Sequence, residues 1–250
     1  MLFIVGIGPG GRPHMTGRAL EAIGAAEVVV GYTLYIEMLG ELVAGKEVVS
    51  TGMTREVDRC TEAVRLALLG RDVAVVSTGD PGVYGMAGLV LELLAEADPA
   101  GQVTVELVPG VCAVHAAASL LGAPLMTDFA VISLSDLLTP WATIRQRLEG
   151  AGAGDFVVAL YNPRSRKRVT HLEEACTILG RHRPGTTPAG IVRNALRDGQ
   201  QVEVTTLTAL PACQVDMMSV VIIGNSTTRL LQTRLVSPRG YRLTGRKPSG

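Results

Sequence analysis

Val5-Gly6-Ile7-Gly8-Pro9-Gly10 decides the fold. The apolar residues 1–4 run straight into it, so a short buried strand ends in a loop of glycine and proline. Glycine lets backbone approach a neighbour or ligand closely, and proline fixes the direction of the chain. The pattern recurs twice. Residues 73–76 lead into Ser77-Thr78-Gly79-Asp80-Pro81-Gly82-Val83-Tyr84-Gly85, and residues 103–108 into Pro109-Gly110-Val111-Cys112-Ala113. Loops at the carboxyl ends of parallel strands are where open α/β sheets bind small molecules. Three of them in the first half of one chain imply a ligand held largely by backbone.

Outward from these loops, strands alternate with helices. Strands read at residues 2–7, 28–30, 48–49, 73–76 and 103–108. Helices read over 17–25 with Thr16 as cap, 57–69 with Gly70 as stop, 88–97, and 111–121. This alternation predicts a parallel sheet with helices on both faces. Small residues fill the helix over 111–121, and Gly122-Ala123-Pro124 then marks a domain boundary. Beyond it, strands read at 129–134, 156–161, 189–192, 202–206 and 219–223, with helices over 141–149 and 171–180. The last three strands have little helix between them, which predicts antiparallel pairing in a mixed sheet. The expected fold class is α/β, with two α/β domains over residues 1–121 and 122–236. A basic tail over 237–250, carrying Arg239, Arg242, Arg246 and Lys247, is expected to be loosely ordered.

Composition narrows the function. The 250 residues, 47% of them hydrophobic, suffice for one large core or two modest ones. Lys and Arg number 23 and Asp and Glu also 23, so no bulk charge attracts nucleic acid or an anionic membrane. No apolar run approaches the roughly 18 residues that span a bilayer. The apolar start meets Gly8-Pro9-Gly10 too soon for a signal peptide, so a cytoplasmic protein with no nucleic-acid or membrane partner is expected. Cys60, Cys112, Cys176 and Cys213 are too scattered for a metal pair, so no metal and reduced thiols are expected. Aromatics at 4% leave few surfaces for stacking bases.

Several motifs read two ways. Gly6-Ile7-Gly8-Pro9-Gly10 opens like a dinucleotide fingerprint, but Pro9 and Pro13 delay the helix that should follow, which leaves a nicotinamide-dependent oxidoreductase as an alternative. Asp80 either takes a ligand hydroxyl or cation or holds its own turn. Asp136 either handles a proton or caps the next helix. Arg164, Arg166, Lys167 and Arg168 form a solvated face or bind carboxylates. His14, beside the first loop, is an acid/base candidate; His115 reads as core, His171 and His182 as surface.

Taken together, the chain resembles the tetrapyrrole methylases, S-adenosylmethionine-dependent methyltransferases of class III. The likeness runs from Phe3 to about Leu235. It is carried by residues 5–10 with Thr16, Ala19, Ala26 and Glu27, by Gly79-Asp80-Pro81 with Val83, Tyr84 and Gly85, and by Pro109-Gly110-Val111, Ala113 and Gly122-Ala123-Pro124-Leu125. Ile132-Ser133-Leu134-Ser135-Asp136-Leu137-Leu138-Thr139-Pro140-Trp141, Leu160-Tyr161-Asn162-Pro163-Arg164-Ser165, Asp216-Met217 and Gly224-Asn225-Ser226 are similar to the branch that methylates C17 of a precorrin or cobalt-precorrin ring and contracts it. Other members of the family remain alternatives, as does a tetrapyrrole-binding module without turnover.

The resemblance implies S-adenosylmethionine as methyl donor, S-adenosylhomocysteine as product, and a cofactor site in the cleft between two domains of a homodimer. Cofactor contacts carried over are Pro9, Thr78, Gly79, Asp80, Val83, Cys112, Ala113, Tyr161, Asn162 and Ala195. Thr78 stands where the family has glycine, and Cys112 where it has a hydroxyl residue. Methyl transfer from a sulfonium needs alignment within about 3–3.5 Å and dryness rather than a metal or a covalent intermediate. Ring contraction also moves protons, and Asp136, Ser133, Ser135 and Tyr161 are the candidates. Asp128, Arg164 and Arg166 are the implied substrate contacts.

Overall fold

β1 (Leu2–Gly6) buries every residue, because both of its faces are covered. Leu2 and Ile4 enter one core; Phe3 and Val5 enter another. That is why the strand reads as an unbroken apolar run rather than an alternating one. The computed structural model describes residues 1–241. Arg242, Arg246 and Lys247 of the expected basic tail lie outside the described residues. Two compact units divide between Ala116 and Ala117.

In the first unit, β1 joins β2 (Val28–Tyr32), β3 (Glu47–Thr51), β4 (Val73–Ser77) and β5 (Val105–Val108). All pair in parallel in the order β3-β2-β4-β1-β5. α1 (Gly17–Ala25) and α2 (Thr33–Leu39) cover one face, packing Ala19, Ile23 and Leu39 on Phe3, Val5, Val29 and Val76. α3 (Glu56–Leu68) and α4 (Ala87–Ala97) cover the other, packing Cys60, Val64 and Val90 on Leu2, Ile4, Val30 and Val75. Thr16 caps α1 by accepting the Ala19 N–H at 3.1 Å, and Lys46 Nζ donates to the carbonyls of Gly24 and Ala26 at its other end. The sequence reading omits α2, whose seven residues are too few to show a helical period.

α5 (Ala113–Leu121) leads across the division into β6 (Gly122–Ala123). The second unit has β7 (Phe129–Ser133), α6 (Trp141–Ala153), β8 (Val157–Tyr161), α7 (His171–Leu179), β9 (Pro188–Arg193), β10 (Gln201–Thr206) and β11 (Ser219–Ile223). Its sheet has the order β10-β9-β11-β8-β7. β7 and β8 are parallel, and the other neighbours antiparallel, which is the mixed sheet expected. α6 and α7 bury Ile144, Leu148, Leu172 and Leu179 against Ile132, Leu160, Ile191 and Val221. α6 runs past Glu149, where the sequence reading stops it, through Gly150 and Gly152. At Gly152 a Cβ would stand 2.6 Å from the His182 ring, so the glycine makes room for a neighbour rather than ending the helix. On the sheet's other face, Gly190 leaves space for Leu121.

A small sheet, absent from the sequence reading, pairs β13 (Arg234–Val236) with β12 (Arg229–Leu231) on one side and with β6 on the other. Ser237, first residue of the expected tail, is fully buried; its N–H donates to the Ala123 carbonyl and its hydroxyl meets that of Thr228 at 2.8 Å.

Candidate active site

In the first unit the three glycine loops close on one another. β1 and β4 carry their ladder past the strand ends: the Ile7 N–H donates to the Ser77 carbonyl, and Gly8 and Gly79 exchange backbone hydrogen bonds of 2.8 and 3.2 Å. Gly79 takes φ 67° and Gly8 φ 70°, a region open to glycine and costly for most other residues. A Cβ on Gly110 would fall 2.1 Å from the Gly79 carbonyl oxygen, and one on Gly6 2.6 Å from that same oxygen. Only hydrogen at both positions permits this approach.

Asp80 ties the arrangement. Its Oδ1 accepts the Gly82 N–H at 2.8 Å and its Oδ2 the Gly110 N–H at 3.2 Å. Of the two roles open from sequence, holding the turn is therefore met, and it extends to the third loop. Each carboxylate oxygen keeps a second lone pair with which to accept from a ligand. Pro9 is buried, Thr78 half-buried, and Val83 half-buried with its N–H on the Asp80 carbonyl. Cys112 and Ala113 open α5 beside this cluster, with the Cys112 carbonyl accepting from Ala116. Burial, and then the Asp80 carboxylate, push the Cys112 thiol up, so it is a neutral thiol at pH 7. Pro9, Thr78, Gly79, Asp80, Val83, Cys112 and Ala113 thus stand in one loop cluster. With small side chains and backbone groups brought close together, the cluster fits a flexible polar ligand read through N–H and C=O groups.

In the second unit the candidates gather at the sheet edge where β7, β8 and β9 end. Asn162, just past β8, takes φ 50°, a conformation asparagine tolerates. Its Nδ2 donates to the Ser133 Oγ at 3.0 Å, and that oxygen also accepts the Ser135 N–H. The Tyr161 carbonyl accepts from Leu134. Ala195 lies in the turn after β9, between Asn194 and Leu196, which both have positive φ. Ser133, Ser135, Tyr161, Asn162 and Ala195 thus share an edge.

Asp128 does not join them. It precedes β7 at the opposite end of the strand, roughly 16 Å away by strand rise. The capping alternative for Asp136 also fails, because α6 opens after Pro140. Instead Asp136 Oδ2 meets His171 Nε2 at 3.3 Å. The His171 ring packs on Trp141 with centroids 4.1 Å apart, and Trp141 donates to Glu174. His171, read as a surface residue from sequence, is thus built into the edge.

A pocket of about 540 Å³ opens there, within the range of small-molecule sites, lined by Asp136, Leu137, Arg166, Lys167, Arg168 and Met217 among others. Arg166 lines the pocket. Arg164 turns to the Pro211 carbonyl at 3.1 Å. The sequence reading names Lys167 and Arg168 only as part of the basic run and leaves out Leu137 as a site residue. Leu137 and Leu138 are 74% and 93% exposed, two leucines left to solvent in succession, which residue order alone does not show.

No helix of the described residues is long and apolar enough to cross a membrane. Cys60 and Cys176 are pushed up to about 11 and about 12 by burial, which leaves both as inert thiols. The helix after the first loop starts only at Gly17, beyond a short 3-10 turn at Arg12–His14, unlike a dinucleotide fingerprint.

Comparison with known proteins bears on the family and the fold. The family profile for tetrapyrrole (corrin/porphyrin) methylases matches residues 1–211. The chain is 49% identical over 97% of its length, and 100% of the relative's, to a probable cobalt-factor III C(17)-methyltransferase of Salmonella typhimurium. It is 41% identical to a precorrin-3B C(17)-methyltransferase of a Sinorhizobium species, covering 92% of this chain and 91% of that one. A crystal structure of the methyltransferase CobJ superposes with a TM-score of 0.89 at 35% identity, covering 95% of this chain and 99% of that chain. Nothing among these relatives favours the nicotinamide alternative.

Proposed function

The chain belongs to the tetrapyrrole (corrin/porphyrin) methylases, and from that premise we propose that it transfers the methyl group of S-adenosylmethionine to C17 of a cobalt-factor III or precorrin-3B ring, with ring contraction. The observation that carries this reading is identity of 49% along the whole of a relative named for that reaction. The lower identity, 41%, to the precorrin-3B relative favours the cobalt-containing substrate.

The loop chemistry supports the same reading. When bound, S-adenosylmethionine supplies a methyl group already activated as a sulfonium. The protein's task is then to align, desolvate and hold. Pro9, Thr78, Gly79, Asp80, Val83, Cys112 and Ala113 are proposed to hold the donor, mainly through backbone groups that the glycines bring together. Tyr161, Asn162 and Ala195 are proposed as further contacts. Asp80, its turn already fixed, is proposed to accept a hydroxyl or amine of the donor without having to reorganise.

Proton handling during contraction falls to Asp136, Ser133, Ser135 and Tyr161. Asp136 reaches the pocket and is steadied by His171, which makes it the strongest acid/base candidate of the four. Arg166 is proposed to meet substrate carboxylates at the pocket mouth. By the family resemblance we also propose a cytoplasmic homodimer. The test is to supply S-adenosylmethionine carrying a 13C-methyl group together with cobalt-factor III. A single labelled methyl at C17 is expected; label at another ring carbon would assign a different member of the family.

A further inference from the structure

Among the described residues, most paired arginines face a carboxylate: Arg18 meets Glu106, Arg55 meets Asp58, Arg65 meets Glu62 and Arg71 meets Glu27 and Glu47. Arg164, Arg168 and Arg183 have only neutral acceptors, and of the three Arg168 lines the pocket. Arg168 Nη1 donates to the Ser135 Oγ at 3.2 Å, and its Nη2 to the Asn162 carbonyl at 3.5 Å and the Met217 sulfur at 3.2 Å. All three acceptors are neutral, one is a thioether and one is at the limit of hydrogen-bond length. Its Nε is buried with no partner.

This guanidinium lines the pocket at the edge of the second sheet, and the pocket holds three cations, Arg166, Lys167 and Arg168, against one carboxylate, Asp136. Asp136 is already taken by His171. Arg166 and Lys167 are exposed, so water already satisfies them; Arg168 is half-buried and satisfied poorly. A carboxylate arriving here would exchange weak contacts for a two-point, charge-assisted pair, with much of the desolvation of Arg168 already done in folding. Leu137 and Met217, exposed on the same pocket, offer apolar surface beside the charge.

We infer that Arg168 is the specificity residue of this pocket, binding a peripheral carboxylate of a flat macrocycle whose ring lies on Leu137 and Met217. This rests on the methyltransferase reading for the identity of the ligand. Arg164, bonded to the Pro211 carbonyl, is not among the residues lining the pocket and takes no such part.

Uroporphyrin, a stable macrocycle with carboxylates around its rim, is the probe. It is titrated into the full chain by absorbance, with S-adenosylhomocysteine titrated separately by calorimetry. Arg168→Ala is expected to weaken uroporphyrin roughly 10- to 100-fold, the range for a lost hydrogen bond to a charged group. Arg168→Lys keeps the charge but loses the fork and should fall between. S-adenosylhomocysteine affinity should stay within about threefold in both, since no charge of the donor is read by Arg168. Arg181→Ala, which removes an exposed charge paired with Glu149, should leave uroporphyrin affinity unchanged. Equal loss of both ligands in Arg168→Ala would make Arg168 a brace between loops and overturn the inference. So would unchanged uroporphyrin binding. Failure of the wild type to bind uroporphyrin while it binds S-adenosylhomocysteine would sink the carboxylate reading and leave the donor site standing. Failure to bind either would sink the methyltransferase reading and this inference with it.

Discussion

The two units each end their strands in a cluster of loops, but they lock those loops by opposite means. In the first unit the locking is done by backbone: Gly6, Gly79 and Gly110 touch where no side chain fits, and Asp80 clips two backbone N–H groups. In the second it is done by side chains: Asn162 on Ser133 and His171 on Asp136. A backbone lock tolerates almost no substitution at its glycines. A side-chain lock loses one bond at a time. The first suits a ligand that is the same for a whole family of reactions, and the second a substrate that differs between them.

The sharpest way to break this contrast is Gly110→Ala. The added methyl meets backbone on two sides and cannot swing away. A loss of about 3 kcal/mol in unfolding free energy is expected, together with loss of S-adenosylhomocysteine binding. Near-normal stability in a denaturant titration would mean the loops can part, and the contrast would fail. Asp80→Asn comes next. It keeps the shape but turns one acceptor into a donor facing an N–H, at a cost of about 2 kcal/mol. Donor affinity should drop while uroporphyrin affinity holds.

In the second unit, Asn162→Ala removes one hydrogen bond and a residue suited to positive φ. About 1 kcal/mol is expected, with the protein still folded and still binding S-adenosylhomocysteine, though more weakly. A loss as large as that of Gly110→Ala would erase the distinction between the units. The smallest effect belongs to Asp98, away from both clusters. Backbone N–H groups of Val103, Gln102 and Gly101 hold its carboxyl below the usual range. A depressed folded value means its contribution is complete above the unfolded carboxyl's value, about 3.9, and is lost as pH falls through the folded value. Melting curves should therefore show wild type ahead of Asp98→Asn by a constant margin near neutrality, narrowing only below about pH 4. A margin that grows with acidity would contradict the sign.

The same difference explains what the sequence let a reader see. Glycine and proline leave an unmistakable trace, so the three loops, the parallel sheet and Thr16 as a cap were legible from residue order. So was the mixed second sheet, because its last strands lack helices between them. His171 was not legible: its role depends on Trp141 and Asp136, which are far from it in the chain and near it in space. Nor could the basic run be sorted, since only the fold turns Arg164 to Pro211 and Arg168 into the pocket. Asp128 stands at the other end of β7 from Ser133, with four strand residues between them, a gap that looks short in sequence and spans the sheet. The paired strands β12 and β13 are three residues each, too short for alternation to register.

The most direct test is a calorimetric titration of the wild-type protein with S-adenosylhomocysteine, repeated with a nicotinamide dinucleotide. Saturable binding on the order of micromolar for the first ligand, and none for the second, is the result this account predicts. Binding of the dinucleotide instead, or no heat from S-adenosylhomocysteine, would contradict the claim that the glycine loops are built for a methyl donor.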